Sequence, residues 1–335
     1  MRVAEAERFG GPEVLRPAHR PDPQAGPGEV LVAVAASDVM FLDAQLRSGW
    51  GREYFRMRPP YVPGSGVVGR VVSVGEGADP GLVGAEVLAE TGQRDPETHV
   101  PLTPTDGYAE LVAAPARYLV RLPGGLDGQA ALALLHDGPT ALQLAEAARF
   151  TAGDRVLVNA AAGGAGSLLV QMAARAGARV IGAARGPRKL ALARELGAEA
   201  VVDYSEPDWT RRVREATSGK GPDVVLDGAG GRLGREAFGI TARGGHLLAY
   251  GASGGDFAET GAAEAREKGV RVTGLFDLPS LDGDGRRRRA EEALAEAAAG
   301  RFRPTVGQTF RLDEAREAHA AIASRTSVGK TLLVP

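Results

Sequence analysis

RVLVNAAAGGAGSLLVQMAARAGARVIGAAR, residues 155–185, is the stretch that decides the fold. It opens with an apolar, β-rich run at Arg155–Asn159 and closes with another at Arg179–Ala184. Between them lie a turn holding Gly163, Gly164 and Gly166 and a helical segment near Gly166–Ala176. A strand, a Gly-rich turn and a helix followed at once by a second strand form a βαβ unit. Glycines at such a turn let a phosphate approach the backbone, and the helix N-terminus supplies N–H donors and a favourable dipole. The pattern Ala160-x-x-Gly163-x-x-Gly166 departs from strict G-x-G-x-x-G and is weak alone. Its position between a clear strand and a clear helix strengthens it. The plain alternative is an αβ turn without a ligand.

Working outward, the same texture runs from about Leu122 onward. Pro187–Leu196 and Trp209–Thr217 read as helices. Ala200–Asp203, Val224–Asp227, Gly245–Gly251 and Val270–Phe276 read as short apolar strands. Strands of four to seven residues alternating with helices imply an α/β doubly wound parallel sheet covered on both faces. The first third differs. Val30–Ala35, Gly66–Val74 and Glu86–Ala89 are β-rich runs broken by Pro and Gly, and Gly64, Gly66, Gly69, Gly75, Gly77, Gly81 and Gly84 crowd together. That density suits the corners of a small β-barrel. The tail offers a helix at Asp313–Ser324 and a strand at Thr331–Val334. The expected division is 1–122 with 305–335 for the barrel and 123–304 for the parallel-sheet domain.

The end of the second strand speaks to cofactor choice. A carboxylate there would hydrogen-bond an NAD ribose. This chain has Ala183, Ala184 and Arg185, then Arg188 and Lys189. Guanidinium groups contact phosphate bidentately and an ammonium acts as a point charge. Arg185 and Lys189 therefore point to the 2′-phosphate of NADPH, with Tyr204 as a further donor. The other reading, that these cations solvate the next helix, stays open, most evenly for Arg188.

Bulk properties narrow the class. The chain has 335 residues, 44% apolar and 24% charged, with a formal net charge of −2. That is enough for two domains, and it gives no electrostatic reason to expect nucleic acid or an anionic membrane as partner. The basic run Arg286–Arg289 precedes Glu291, Glu292 and Glu296 and reads as a solvated helix face. No run of about 20 apolar residues is present, and MRVAEAERFGGPEV at the start lacks the apolar core of a signal peptide. A cytoplasmic location is expected. Cysteine is absent, which removes disulfides, Cys nucleophiles and thiolate metal sites. His19, His99, His136, His246 and His319 show no ligand spacing, so no metal site is expected.

PGEVLVAV (27–34), FLDAQLRSG (41–49), PGSGVVGRVVSVGEG (63–77), GYAELVAAP (107–115), NAAAGGAG (159–166), LGAEAVVDY (196–204) and GKTLLVP (329–335) together resemble the medium-chain dehydrogenase/reductase superfamily. The zinc-independent quinone oxidoreductase-like branch is the most similar. The resemblance spans nearly the whole chain and implies a GroES-like β-barrel domain plus a Rossmann domain. It places the pyrophosphate on Gly163, Gly164, Ala165 and Gly166, and the 2′-phosphate between Lys189 and Tyr204. Thr140 would lie beside the nicotinamide or its ribose, with Gly251, Phe276 and Lys330 lining the rest of the cofactor cleft. It also implies a homodimer through the strand at 270–276. Where zinc enzymes of the superfamily carry Cys and G-H-E, this chain reads SDVMFLD and GSG. Quinone reductases usually carry Asn at the position of Met40 and Glu at that of Gly66. Losing both is expected to make the substrate pocket more apolar and roomier.

Three functions fit these residues. The first is NADPH-dependent, zinc-free hydride transfer to a conjugated carbonyl, a quinone or an enone. Asp43, Tyr54 and Tyr61 are then candidate proton donors, with Asp43 equally readable as an anchor for its helix. The second is a freestanding enoyl reductase of a biosynthetic pathway. The third is a catalytically weak NADPH-binding protein.

Overall fold

The computed structural model describes residues 1–52, 55, 57–95, 97 and 102–335. They form two compact units, Met1–Pro139 with Leu281–Pro335, and Thr140–Ser280. In chain order the first unit holds β1 (Arg2–Ala6), β2 (Leu15–His19), β3 (Glu29–Val39), α1 (Phe41–Ser48), β4 (Gly66–Val74), β5 (Glu86–Glu90), β6 (Leu111–Pro115), β7 (Val120–Arg121) and α2 (Gly128–Leu132). The chain leaves it within α3 (Asp137–Ala148). The second unit continues with β8 (Arg155–Asn159), α4 (Gly164–Arg175), β9 (Arg179–Ala184), α5 (Pro187–Glu195), β10 (Ala200–Asp203), α6 (Trp209–Ala216), β11 (Val224–Asp227), α7 (Gly231–Ile240), β12 (His246–Ala249), α8 (Ala262–Lys268) and β13 (Arg271–Gly274). The return to the first unit brings α9 (Gly283–Ala298), β14 (Val306–Arg311), α10 (Ala315–Ala323) and β15 (Lys330–Val334).

In the first unit the sheet runs β14-β15-β3-β4-β5-β7, with β6 also on β3. The long β3 makes this possible. Its register against β4 shifts between Leu31 and Val32 and again between Val34 and Ala36. Bulges bend a strand, so Glu29–Ala33 can pair with β6 while Ser37–Val39 pair with β15. Along the first half of β3, burial alternates between Val30, Val32 and Val34 and their more exposed neighbours. Over its last four residues every side chain is buried, Asp38 included. A charge thus enters the interior at the strand's end.

The second unit is a six-stranded parallel sheet in the order β10-β9-β8-β11-β12-β13. Numbered within the unit this is 3-2-1-4-5-6, which reverses direction between β8 and β11. β11 and β12 are buried along their whole length, as strands covered on both faces must be. Trp209 and Phe238 fill the core beside Leu157, Val225 and Leu247.

The compact units part at different places from the change in sequence texture. α2 packs on β3 and β4, and α9 packs on β7, so both helices stay with the first unit. The last strand is also shorter than its apolar run, since Leu275–Asp277 form a single 3-10 turn.

Candidate functional site

The Gly-rich turn begins where β8 ends. Ala160 takes a left-handed φ of 56°, folding the chain back so that the Gly163 N–H donates to the Ala160 carbonyl at 2.9 Å. The Ser167 N–H donates to the Gly163 carbonyl at 2.9 Å. The N–H groups of Gly164, Ala165 and Gly166 precede that bond, and the N-cap Gly163 has no side chain to cap them. A Cβ on Gly166 would run into the Ala160 carbonyl oxygen, so helix and strand approach this closely only with glycine. Across the sheet's reversal, Asn159 Nδ2 donates to Asp227 Oδ1 at 3.0 Å, and Asp227 accepts from the Ala229 and Gly230 N–H groups. The Gly251 N–H donates to the Asp227 carbonyl at 3.1 Å. The turn, Asn159, Asp227 and Gly251 therefore share the carboxyl edge of β8, β11 and β12. Asn159 Oδ1 is buried there without a hydrogen-bond partner. Uncapped N–H groups at the reversal of a doubly wound sheet fit a dinucleotide pyrophosphate.

At the end of β9, Arg185 and Arg188 are exposed and Lys189 and Tyr204 are half-buried. One expectation needs correcting here. No acid lies at the end of the second strand in sequence, but parallel pairing sets Asp203 of β10 opposite Ala184. The Asp203 carboxylate accepts from the Gly186 N–H at 2.8 Å and from the Ser205 N–H and hydroxyl at 2.9 and 2.5 Å. Burial opposes its charge, but these bonds and the nearby Arg185 hold it below the usual carboxylate range. Its lone pairs are committed to the loop, so it staples the cationic turn in place. Phe276 is 87% exposed and meets Phe257 edge-to-face, with centroids 5.9 Å apart.

The first unit contains a charge network assembled from distant segments. Asp38 Oδ2 lies 2.9 Å from His136 Nδ1 and 3.0 Å from Lys330 Nζ. Lys330 Nζ also lies 3.3 Å from Asp137 Oδ2. On the far side of the imidazole, Nε2 is 3.5 Å from Glu90 Oε1, which pairs with Arg286 at 2.5 Å, while Arg94 reaches Glu90 Oε2 at 3.4 Å. Burial penalises the charges of Asp38, Glu90, His136, Arg286 and Lys330. Lys330 and His136 nevertheless hold Asp38 well below the usual range, and Asp137 and Asp38 hold Lys330 above its own. The Asp38 carboxylate, with Glu90 behind it, raises His136.

This network revises the reading of Gly66. A Cβ on Gly66 would stand 2.5 Å from Asp38 Oδ1 and 2.7 Å from His136 Cε1. The space freed by the missing side chain is filled, and by charged groups. The site is therefore neither roomier nor more apolar at Gly66. Met40, half-buried at the N-cap of α1, keeps its apolar contribution.

The donor candidates fare differently. Asp43 is buried at the third position of α1, where Oδ2 accepts the Met40 N–H at 2.8 Å and the Tyr108 hydroxyl at 3.0 Å. The Tyr108 oxygen lies 3.0 Å from His319 Nε2. Tyr61 is buried in the barrel core. Both groups are thus placed to hold the helix and the core. Tyr54 and His99 lie outside the described residues. Burial and the neighbouring Asp38 push the Asp43 carboxyl up to about 7. A carboxyl raised in the folded state stabilises below its unfolded value of about 3.9, and loses that contribution as pH rises through the folded value. Asp43→Asn is expected to gain stability over wild type between pH 4 and 7, by roughly 2–4 kcal/mol, and to keep that gain above pH 7. Urea titrations at pH 4, 5.5, 7 and 8.5 check it; a constant difference across that range would refute it.

The ring of Asp38, Glu90, Asp137 and Arg286 around His136 and Lys330 was not among the sequence-predicted site features. The signal was there in an acid, Asp38, inside a β-rich segment, where an unpaired carboxylate would be costly to bury.

Family models match both parts of the chain, "Alcohol dehydrogenase GroES-like domain" over residues 26–124 and "Zinc-binding dehydrogenase" over residues 164–278. The quinone oxidoreductase of Pseudomonas aeruginosa is 32% identical over 330 residues, covering 98% of this chain and 97% of that protein. The 2-haloacrylate reductase of a Burkholderia species is 32% identical over 318 residues, covering 92% of each. Among solved structures, a mycobacterial protein complexed with NADPH superposes with a TM-score of 0.86 at 32% identity, covering 100% of both chains. A barrel unit followed by a 3-2-1-4-5-6 parallel sheet is the plan of a two-domain dehydrogenase. The chain belongs to the quinone oxidoreductase-like branch of the medium-chain dehydrogenase/reductase superfamily, and it is an oxidoreductase. Zinc does not fit the described residues. The chain has no Cys, and among the described residues no group of three or more His, Asp or Glu could hold a metal ion.

Proposed function

We propose that the protein is an NADPH-dependent reductase of conjugated carbonyls, quinones or enones, working without metal. The observation that carries this reading is the uncapped helix N-terminus at Gly164–Gly166, set on the reversal point of the sheet. Gly163, Gly164, Ala165 and Gly166 would hold the pyrophosphate, and Arg185, Lys189 and Tyr204 the 2′-phosphate. Gly251, at the same sheet edge, where a Cβ would meet the Gly228 backbone, would line the cofactor site, with Thr140 and Phe276 as further contacts. Reduced nicotinamide supplies a hydride, and the protein's share is to align it with an electrophilic carbon, exclude water and provide a proton. The relatives named for quinones and for 2-haloacrylate support a conjugated acceptor.

Met40 gives adaptable apolar contact near the start of α1. The protein is expected to oxidise NADPH with naphthoquinones or aryl enones roughly tenfold faster, in kcat/KM, than with benzoquinone, and Met40→Asn to narrow that ratio. Efficient alcohol oxidation, or no NADPH oxidation with any of these acceptors, would refute the reading.

A homodimer fits the sheet's edge. β13 pairs with β12 on one side only, and the apolar Phe276 projects just beyond it. Exposed edges invite pairing, and two-fold pairing of β13 with its copy would bury both. Light scattering at micromolar concentration is expected to give about twice 34.7 kDa. A monomer under those conditions would refute the dimer. No helix among the described residues is long and apolar enough to cross a membrane; a cytoplasmic location is part of this proposal.

A further inference from the structure

We propose that Asp227, joined to Asn159, is a positioning residue that sets the far wall of the cofactor crevice and so governs binding of the nicotinamide half of NADPH. This rests on the reading of the protein as an NADPH-dependent reductase.

The strand order divides the parallel sheet into two mononucleotide halves, β8 to β10 and β11 to β13, with the crevice where the order reverses. The Gly163–Gly166 turn follows β8, and Arg185 and Lys189 follow β9. Both phosphate sites therefore belong to the first half, and adenosine lies with them. The nicotinamide half must then cross the reversal onto the carboxyl edge of β11 and β12.

Asn159 and Asp227 are opposite each other at the carboxyl end of the β8–β11 ladder, both fully buried, and are joined at 3.0 Å. The Asp227 carboxylate also accepts the Ala229 and Gly230 N–H groups at 3.2 Å each, and its carbonyl accepts the Tyr250 and Gly251 N–H groups at 3.0 and 3.1 Å. The loop so held is fastened to the one after β12. The Gly254 N–H donates to the Ala229 carbonyl at 2.5 Å, and the Gly231 N–H to the Asp256 carbonyl at 2.7 Å. Gly230 has a left-handed φ of 67°, and a Cβ on it would strike the Asp256 and Gly251 carbonyl oxygens. A Cβ on Gly234 would run into Asp227 Oδ2, so glycine lets α7 close onto the carboxylate. Both loops on the nicotinamide side thus depend on Asp227, and Asn159 ties it to the strand that carries the phosphate turn. Burial raises the Asp227 carboxyl, and the Asn159 bond is the strongest of the contacts opposing that.

The test compares two ligands by calorimetry on the full chain. One is NADPH; the other is adenosine 2′,5′-bisphosphate, which has the adenosine and the 2′-phosphate but no nicotinamide. Asn159→Leu and Asn159→Ser each remove the bond across the reversal and leave Asp227 its bonds to Ala229 and Gly230, so either variant serves if the other folds poorly. Each is expected to lose roughly tenfold or more in NADPH affinity and no more than about twofold for the bisphosphate. Lys189→Ala, acting in the first half, should weaken both ligands. General destabilisation cannot produce the first split, because an unfolded fraction lowers both affinities alike. Equal losses for the two ligands in the Asn159 variants would make the pair merely structural and overturn the proposal. NADPH affinity within about twofold of wild type in both variants would overturn it as well, and either result leaves the reductase reading standing. A wild-type protein that binds neither ligand overturns both.

Discussion

NADPH is expected to bind tenfold to a hundredfold more tightly than NADH, and Lys189→Ala to erase most of that difference. A charge-assisted contact to the 2′-phosphate is worth about 1.5–3 kcal/mol, and 1.4 kcal/mol is a factor of ten. Three cations, Arg185, Arg188 and Lys189, cluster where α5 begins. Asp203 is the counterweight, because its carboxylate would repel a phosphate and could attract a ribose hydroxyl. Its geometry decides between these roles. Bonds from the Gly186 N–H and from Ser205 occupy it, and Arg185 lies close enough to lower its proton affinity. A carboxylate used in this way fixes the loop that carries the cations. The measurement is a pair of dissociation constants for each of wild type, Arg185→Ala and Lys189→Ala, repeated at two ionic strengths, since partly exposed charges are screened by salt. Equal affinity of wild type for the two cofactors would sink the assignment. Asp203→Asn separates the roles further. If Asp203 bound ribose, that variant would weaken NADH alone; as a staple it should weaken both cofactors by similar factors.

The parallel-sheet unit was the more legible half of the molecule. Strands such as Arg155–Asn159, Arg179–Ala184 and Val224–Asp227 are buried on both faces, so they appear as unbroken apolar runs whose ends are marked by Gly, Asp or Asn. The turn at Ala160–Gly166 was legible for the same reason, since both its boundaries and its chemistry are local. The barrel unit was less so. Its longest strand, Glu29–Val39, carries two register shifts, and its last residues, Ser37 and Asp38, look like a polar stop although they are buried and paired with β15. Asp203 was missed because the neighbour that gives it meaning, Gly186, lies in the turn that follows the adjacent parallel strand. The Asp38 network was missed because its members come from five separate segments, with Asp38 and His136 98 positions apart. Gly66 shows the cost of reading a residue without its partners. A missing side chain implied empty space, and the space holds a carboxylate and an imidazole.

Asp38→Ala is expected to destabilise the first unit by about 3 kcal/mol or more near pH 5.5. Removing one member of a buried ion pair strands its partners, at a cost of about 3–5 kcal/mol. Here Lys330 would keep Asp137, at 3.3 Å, and His136 would keep Glu90, at 3.5 Å. These remaining contacts put the loss toward the lower end. An exposed pair such as Arg179–Glu199, with both side chains about half exposed, should cost less than 1 kcal/mol when broken. The pH dependence follows from two opposite shifts. Asp38 is held below its usual range, so its contribution is present above its unfolded value of about 3.9 and lost as pH falls toward its folded one. His136 is raised, so its contribution is full below about 6.5 and lost as pH rises through its folded value. The gap between wild type and Asp38→Ala should therefore be widest between about pH 4 and 6.5. It should shrink in acid, and shrink only partly in alkali, where Lys330 stays charged. The chain has two tryptophans, Trp50 in the first unit and Trp209 in the second. A Trp209→Phe background leaves Trp50 to report unfolding of the first unit by itself. Urea titrations at pH 3, 5.5 and 9 in that background give the three gaps. A gap under 1 kcal/mol at pH 5.5, or one that grows steadily with pH, would show that the network is not held together as its geometry implies. Replacing both ends at once, Asp38→Leu with Lys330→Met, should recover part of the loss, because neither of that pair is then left as a buried charge without the other.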